Sequence, residues 1–192
     1  MIARFCRDFY WRAKNIKGEE VIMTNSEKCK KYDVFKSGLV EGASFSPVYE
    51  FPLVKQTVFK PMKAIPFDKA ISSTKYDHWI HFYIHDRQFE RIWNNPKQYL
   101  AFLKRFQGVI TPDFSLYRDL PLAMQIWNTY RNRAVAYWLQ SNGVNIVPNI
   151  RWGDERTYSF AFEGIENKGV LYRLAQMDVY VIKWNATISL KA

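Results

Sequence analysis

The chain has 192 residues, 48% of them hydrophobic and 17% aromatic, which excludes an intrinsically disordered chain and suits one domain with a sizeable core. Its 28 Lys and Arg against 18 Asp and Glu give a net charge of +10, which favours polyanionic partners, although a basic surface that serves solubility alone is the simpler alternative. The two cysteines offer neither a metal-binding spacing nor a disulfide framework, and no apolar run approaches a membrane span. We therefore expect a basic cytoplasmic protein.

The first part of the chain shows little periodicity. Residues 1–31 mix aromatic and charged side chains, and residues 32–76 contain four of the eight prolines. This pattern predicts an N-terminal extension over 1–31, followed by an irregular lead-in with one short strand near residues 58–62. We expect residues 32–192 to form a single domain.

From Trp79 onward, strand-like and helical patterns alternate along the chain. Strands are predicted at 79–84, 108–111, 144–150 and 158–165, and two helical stripes lie between the first two strands. A long helix from about Pro121 to Asn142 connects the strands at 108 and 144, and Asn142-Gly143 ends it. This order predicts an α/β fold with parallel strands. The helical residues expected to pack on the sheet are Ile126, Trp127, Tyr130, Ala134 and Trp138.

Polar side chains follow the predicted strands, at the edge where parallel α/β sheets bind ligands. Carboxylates and arginines in one cleft bind phosphate or shift one another's pKa. The alternative is that these turns are polar because they face water, with Asp–Arg pairs that lock loops together. The candidate binding residues are His85, Arg87, Asp113, Arg118, Asp119, Arg151, Asp154, Glu155 and Arg156.

Three histidines, His78, His81 and His85, lie in one short segment. On a strand, His81 and His85 would share a face, and Asp113 would complete a zinc site, but a hydrogen-bonded histidine is the simpler interpretation. We therefore predict no metal and no cofactor. The sequence has no Walker loop, dinucleotide-binding glycine motif, Cys-x-x-Cys or nucleophile elbow, so no motif identifies a reaction.

Four stretches of the chain resemble a family of uncharacterised proteins found mainly in phages, prophages and plasmids of Gram-positive bacteria. They are FDKAISSTKYD, FERIWNNPKQYL, GVITPDFSLYRDLPLAMQIWNTYRNRA and IVPNIRWGDERTY, within residues 32–165. The resemblance implies a mobile-element protein of a bacterial cytoplasm with an incomplete β/α-barrel. The strings PDFSLYRDLP and RWGDERTY are specific to it and contain seven of the candidate binding residues.

The tail, residues 166–192, departs from the family pattern. Back-translation of residues 174–192 with suitable synonymous codons, followed by a shift of frame, yields GTNGCIRDKVERHYFVKG, which is similar to the family's usual continuation. We hypothesise that the tail arose by a frameshift. The coding DNA tests this, because only some synonymous choices produce that second frame.

Two functions of different classes follow. The first is a mobile-element accessory protein that binds nucleic acid or a host nucleoprotein, including a counter-defence role such as an anti-CRISPR inhibitor of a Cas effector. The alternative is a barrel-type enzyme acting on a phosphate-bearing or nucleotide substrate. If the tail arose by a frameshift, the sheet has lost its closing elements, which harms an active site more than a binding surface. We therefore expect binding rather than catalysis.

Overall fold

The computed structural model describes residues 35–55, 59 and 61–166, together with the backbone of short strands at 12–14, 20–22 and 173–174. The chain divides into two compact units, Met1–Ala43 and Ser44–Ala192. In the first unit, β1 (Arg12–Lys14) pairs antiparallel with β2 (Glu20–Ile22), and a 3-10 turn spans Ser37–Val40. The division into an extension over 1–31 and a domain over 32–192 stays a prediction.

A four-stranded parallel sheet forms the centre of the second unit. Its strands are β3 (Ala64–Pro66), β4 (Trp79–His81), β5 (Gly108–Ile110) and β6 (Ile146–Val147), and they lie side by side in chain order. The predicted parallel neighbours at 79, 108 and 144 are therefore confirmed. A strand order without reversal is that of a β/α-barrel, but this sheet stays open. The α/β class and the incomplete-barrel prediction are both confirmed.

The helices of this unit are α1 (Phe67–Ala70), α2 (Asp86–Asn94), α3 (Pro96–Leu103), α4 (Leu122–Ser141) and α5 (Tyr158–Ala161). Pro96 separates α2 from α3, because proline lacks the N–H that would continue α2 and fits the first turn of α3. Gly143 ends α4 as predicted, with a φ of 76° in the left-handed region that favours glycine. Within the described part of the chain, even the longest helix lacks the apolar length needed to cross a membrane.

Helix α4 presents most of the predicted face to the core, and Ile126 and Tyr130 are half-buried against the cluster of Phe51, Leu116 and Phe160. Ala134 and Trp138 are buried as expected, whereas Trp127 is 40% exposed, so its predicted burial is wrong. The reason is that polar side chains of α4 point inward, where they find partners. Asn132 accepts a hydrogen bond from the Phe114 N–H at 3.0 Å, and Arg133 donates to three main-chain carbonyls. Periodicity of apolar residues alone therefore identified only part of the buried face.

Three predicted strands differ from the observed elements. The strand at 144–150 is split at Pro148, which lacks an N–H for the ladder, and β7 (Asn149–Ile150) pairs instead with β8 (Arg173–Leu174). The predicted strand at 158–165 begins as helix α5, and within it only Ile165 forms a bridge, to Val54. The strand predicted near 58–62 lies partly outside the described residues.

Candidate binding cleft at the carboxyl edge of the sheet

Two loops at the carboxyl ends of β5 and β7 form the candidate site, the first over residues 111–121 and the second over 151–157. Three hydrogen bonds join them. Arg118 Nε donates to the Gly153 carbonyl at 3.0 Å, Arg156 Nη2 donates to the Arg118 carbonyl at 2.7 Å, and Arg151 Nη1 donates to Asp113 Oδ2 at 2.5 Å. A Cβ on Gly153 would lie only 2.7 Å from the Leu116 carbonyl oxygen. Glycine at this position therefore permits the close approach of the two loops.

The second loop is organised around Asp154. Its carboxylate accepts hydrogen bonds from the Arg156 N–H at 3.1 Å and from Arg156 Nη2 at 2.7 Å, while its carbonyl accepts from Thr157 Oγ1 at 2.7 Å. The side-chain hydrogen bond from Arg156 is the main reason that the pKa of Asp154 lies below its ordinary value. Asp154 caps the 3-10 turn Glu155–Thr157, so this Asp–Arg pair serves mainly to fix the loop.

An open cleft of about 470 Å³ lies beside these loops. The exposed Arg118 side chain lines this cleft and is held in place by the hydrogen bond from its Nε. No described residue accepts a hydrogen bond from its two terminal nitrogens. Tyr158 is 38% exposed, and Trp152 stacks on Phe162 with ring centroids 6.2 Å apart. A fixed guanidinium beside aromatic side chains can bind a phosphate and stack a planar ring. The lining residues are Arg118, Trp152, Gly153, Asp154, Glu155, Arg156 and Tyr158.

Asp113 lies outside the cleft lining, in a buried network at the end of β5. Its Oδ1 accepts from Asn149 Nδ2 at 2.8 Å, and its Oδ2 accepts from Arg151 Nη1 at 2.5 Å. Tyr83 extends the network by donating to Asn149 Oδ1 at 3.0 Å. Burial raises the pKa of Asp113, although Arg151 and Asn149 act in the opposite direction. Because both carboxylate oxygens are engaged, this network positions the ends of the strands.

Asp86 fastens helix α2 to the same region. Its carboxylate accepts from the Ser115 N–H at 2.9 Å and from Ser115 Oγ at 2.8 Å. Asp86 is the first residue of α2, where the helix dipole favours a negative charge. The 111–121 loop is therefore held on one side by α2 and on the other by the 151–157 loop.

The structure brings six of the nine candidate residues to this region. Four of them line the cleft, namely Arg118, Asp154, Glu155 and Arg156. Asp113 and Arg151 form the neighbouring buried pair. His85, Arg87 and Asp119 are exposed and do not line the cleft. Whether any of the nine binds a ligand stays a prediction.

The histidines do not form the arrangement considered for zinc. The strand ends at His81, so His85 lies before helix α2 and not on a shared strand face. His81 Nδ1 accepts from the Tyr83 N–H at 3.2 Å, and His78 Nδ1 lies 2.8 Å from Asp77 Oδ1. Among the described residues, no three His, Cys, Asp or Glu side chains are grouped to hold a metal ion.

Sequence reasoning missed Arg133 and the aromatic residues of the cleft. Arg133 is buried and donates to the carbonyls of Asn149, Ala161 and Glu163 at 3.2, 2.7 and 2.9 Å. Little in the sequence indicates that Arg133 is buried, because a charged residue within a helix is usually exposed to solvent. The signal for Trp152 and Tyr158 was their position inside the RWGDERTY string, beside the charged residues already selected.

The fold and site define an α/β protein with an open, singly wound parallel sheet and a small polar cleft at its carboxyl edge. Residues 43–186 match the model of a domain of unknown function, DUF4417, and the chain belongs to this family. The match extends beyond Ile165 into the tail.

Two relatives are phage proteins. The chain is 32% identical over 142 residues to the Gene 1 protein of Mycobacterium phage D29, which covers 70% of this chain and 50% of the relative. It is 36% identical over 124 residues to the Gene 1 protein of Mycobacterium phage L5, with coverage of 62% and 54%. The chain thus spans about half the length of the curated relatives it matches. No solved structure matches it significantly. The resemblance to a phage-associated family of unknown function is confirmed.

Proposed function

We propose that this protein is a phage accessory protein that binds single-stranded nucleic acid in the cleft between the 111–121 and 151–157 loops. The observation that carries the proposal is the fixed Arg118 guanidinium beside the exposed Tyr158 ring in one open cleft. Proteins that bind single strands combine positive charge for the backbone with aromatic rings for the bases. The net charge of +10 adds a general attraction for a polyanion.

The geometry favours single strands over duplex. A base stacks on an exposed ring only when it is free of its partner strand, as in loops and single-stranded segments. Arg118 offers its two terminal nitrogens to one phosphate, and its Nε bond to Gly153 reduces the entropy lost on binding. The cleft therefore supports the recognition of one nucleotide unit within a strand.

Catalysis is not part of the proposal. The carboxyl with a raised pKa, Asp113, has both oxygens engaged by Asn149 and Arg151 and lies outside the cleft lining. A general acid or base needs a position within hydrogen-bond reach of the reacting proton. The buried pair therefore favours a positioning role over chemistry.

The test is a titration of fluorescein-labelled single-stranded and duplex DNA, followed by anisotropy between about 50 and 200 mM salt, where phosphate contacts lose affinity steeply. Arg118→Gln should reduce the log–log salt slope on single strands by about 0.7, the value of one phosphate. Tyr158→Ala should cost roughly 1–3 kcal/mol, the value of one stacked base. Lys97→Gln is the matched control, since it removes one charge from an exposed residue of α3 that does not line the cleft.

Three results would contradict the proposal. No binding at the lowest salt removes it, and equal weakening by Arg118→Gln and Lys97→Gln assigns the affinity to diffuse charge and not to the cleft. Tight, salt-tolerant binding only to a host nucleoprotein, such as a CRISPR effector complex, favours the counter-defence form of the function instead.

A further inference from the structure

The cleft is lined by both acidic and basic side chains, whereas a site that binds only phosphates would be lined by basic ones. Arg156 and Asp154 neutralise each other through hydrogen bonds between their side chains, the shortest of them 2.7 Å. Arg118 is the other cation of the lining; its charge acts on Asp154 but forms no direct ion pair with it. Glu155 is the other anion, and it forms no ion pair with any described residue. If the cleft bound only phosphate, the carboxylate of Glu155 would repel that ligand.

The local backbone places Glu155 beside Tyr158. Glu155 is the first residue of the 3-10 turn Glu155–Thr157, Tyr158 follows the turn, and the Tyr158 N–H donates to the Glu155 carbonyl. In a 3-10 turn, side chains three residues apart project on the same side. A planar ring stacked on Tyr158 would therefore present an edge to the Glu155 carboxylate.

A carboxylate selects among the nucleobases by its two acceptor oxygens. The Watson–Crick edge of guanine carries two adjacent donors, the N1–H and the N2 amino group. Adenine and cytosine have one amino donor beside an acceptor nitrogen, and uracil and thymine have one N–H between two carbonyls. Only guanine matches both oxygens, and bidentate pairs of this kind discriminate strongly between bases.

We propose that the cleft selects guanine, with Glu155 accepting from the N1–H and the N2 amino group, Tyr158 stacking the base and Arg118 binding the phosphate. This inference rests on the proposed function and names the ligand class of the same site. The cleft volume of about 470 Å³ lies within the roughly 300–1,000 Å³ of pockets that take small organic ligands, which suits one nucleotide.

The experiment compares guanosine, inosine, adenosine, cytidine and uridine monophosphates by quenching of tryptophan fluorescence. Short oligothymidines carrying one central guanine or adenine serve as strand probes. Guanosine monophosphate should bind roughly 5- to 150-fold more tightly than the adenosine, cytidine and uridine compounds. Inosine monophosphate lacks the N2 amino group and should fall between them.

Glu155→Gln tests the assignment, because an amide presents one donor and one acceptor and matches adenine better than guanine. The guanine preference should be lost in Glu155→Gln and kept in Glu50→Gln, a matched control at an exposed glutamate that does not line the cleft. Circular dichroism of both variants checks that the fold is unchanged.

Equal binding of all bases by the natural protein, or a guanine preference that survives Glu155→Gln, overturns the inference but leaves single-strand binding in place. If neither the mononucleotides nor the oligonucleotides bind, the proposed function fails together with the inference.

Discussion

Replacing Arg133 with methionine tests how the carboxyl edge of the sheet is held together. The Arg133 side chain is 2% exposed, and its three nitrogens donate to carbonyls of β7, α5 and the segment after α5. Methionine has a similar length and no donors. The variant therefore leaves three carbonyl groups without this partner, in the part of the molecule that supports the cleft.

The magnitude follows from two opposing effects. Three hydrogen bonds from a charged donor contribute together roughly 5–9 kcal/mol. Burying a guanidinium costs several kcal/mol, which methionine avoids. We expect Arg133→Met to lower the free energy of unfolding by about 3–5 kcal/mol, which is a large part of the roughly 5–15 kcal/mol of a typical domain.

Urea unfolding followed by circular dichroism and tryptophan fluorescence measures this change. Arg91→Met is the matched control, because Arg91 is exposed and lies over the Phe67 ring at 5.1 Å, a contact that contributes about 0.5–1 kcal/mol. A loss below about 1 kcal/mol for Arg133→Met, similar to the control, would refute the argument that these bonds outweigh the cost of burial.

Three further variants and one control variant test the described contacts. Gly153→Ala would place a Cβ 2.7 Å from the Leu116 carbonyl oxygen, a backbone atom that cannot move aside easily, and should cost about 1–3 kcal/mol by urea unfolding, whereas Gly38→Ala, with open space around it, should be nearly neutral. Burial raises the pKa of Asp113 above 3.8, so its contribution to stability is complete below pH 3.8 and is lost as pH rises through the folded-state pKa. Asp113→Asn should remove that loss, and urea midpoints measured against pH will show it. Trp127→Ala should cost only about 1–2 kcal/mol, because the ring is 40% exposed, and a cost of 3–5 kcal/mol would restore the buried interpretation.

The sequence predicted the elements with strong local signals. Helix α4 was predicted within one residue at each end, because Pro121 and the Asn142-Gly143 pair mark its limits. The strands at 79, 108 and 144 were predicted as parallel neighbours, because alternating strands and helices with short connections leave few other arrangements. The strand predicted at 158–165 was wrong over 158–161, where a turn capped by Asp154 leads into helix α5 instead.

For the candidate site, the sequence predicted six of the residues that meet at the carboxyl edge, because parallel strands end together and polar loops follow them. Tertiary structure alone decided their roles. Asp113 and Arg151 became a buried pair, whereas Arg118 and Glu155 line an open cleft. That difference depends on which side chains stay exposed once α4 and Gly153 are packed. It arises from contacts between residues that are distant along the chain, and such contacts leave no local pattern in the sequence.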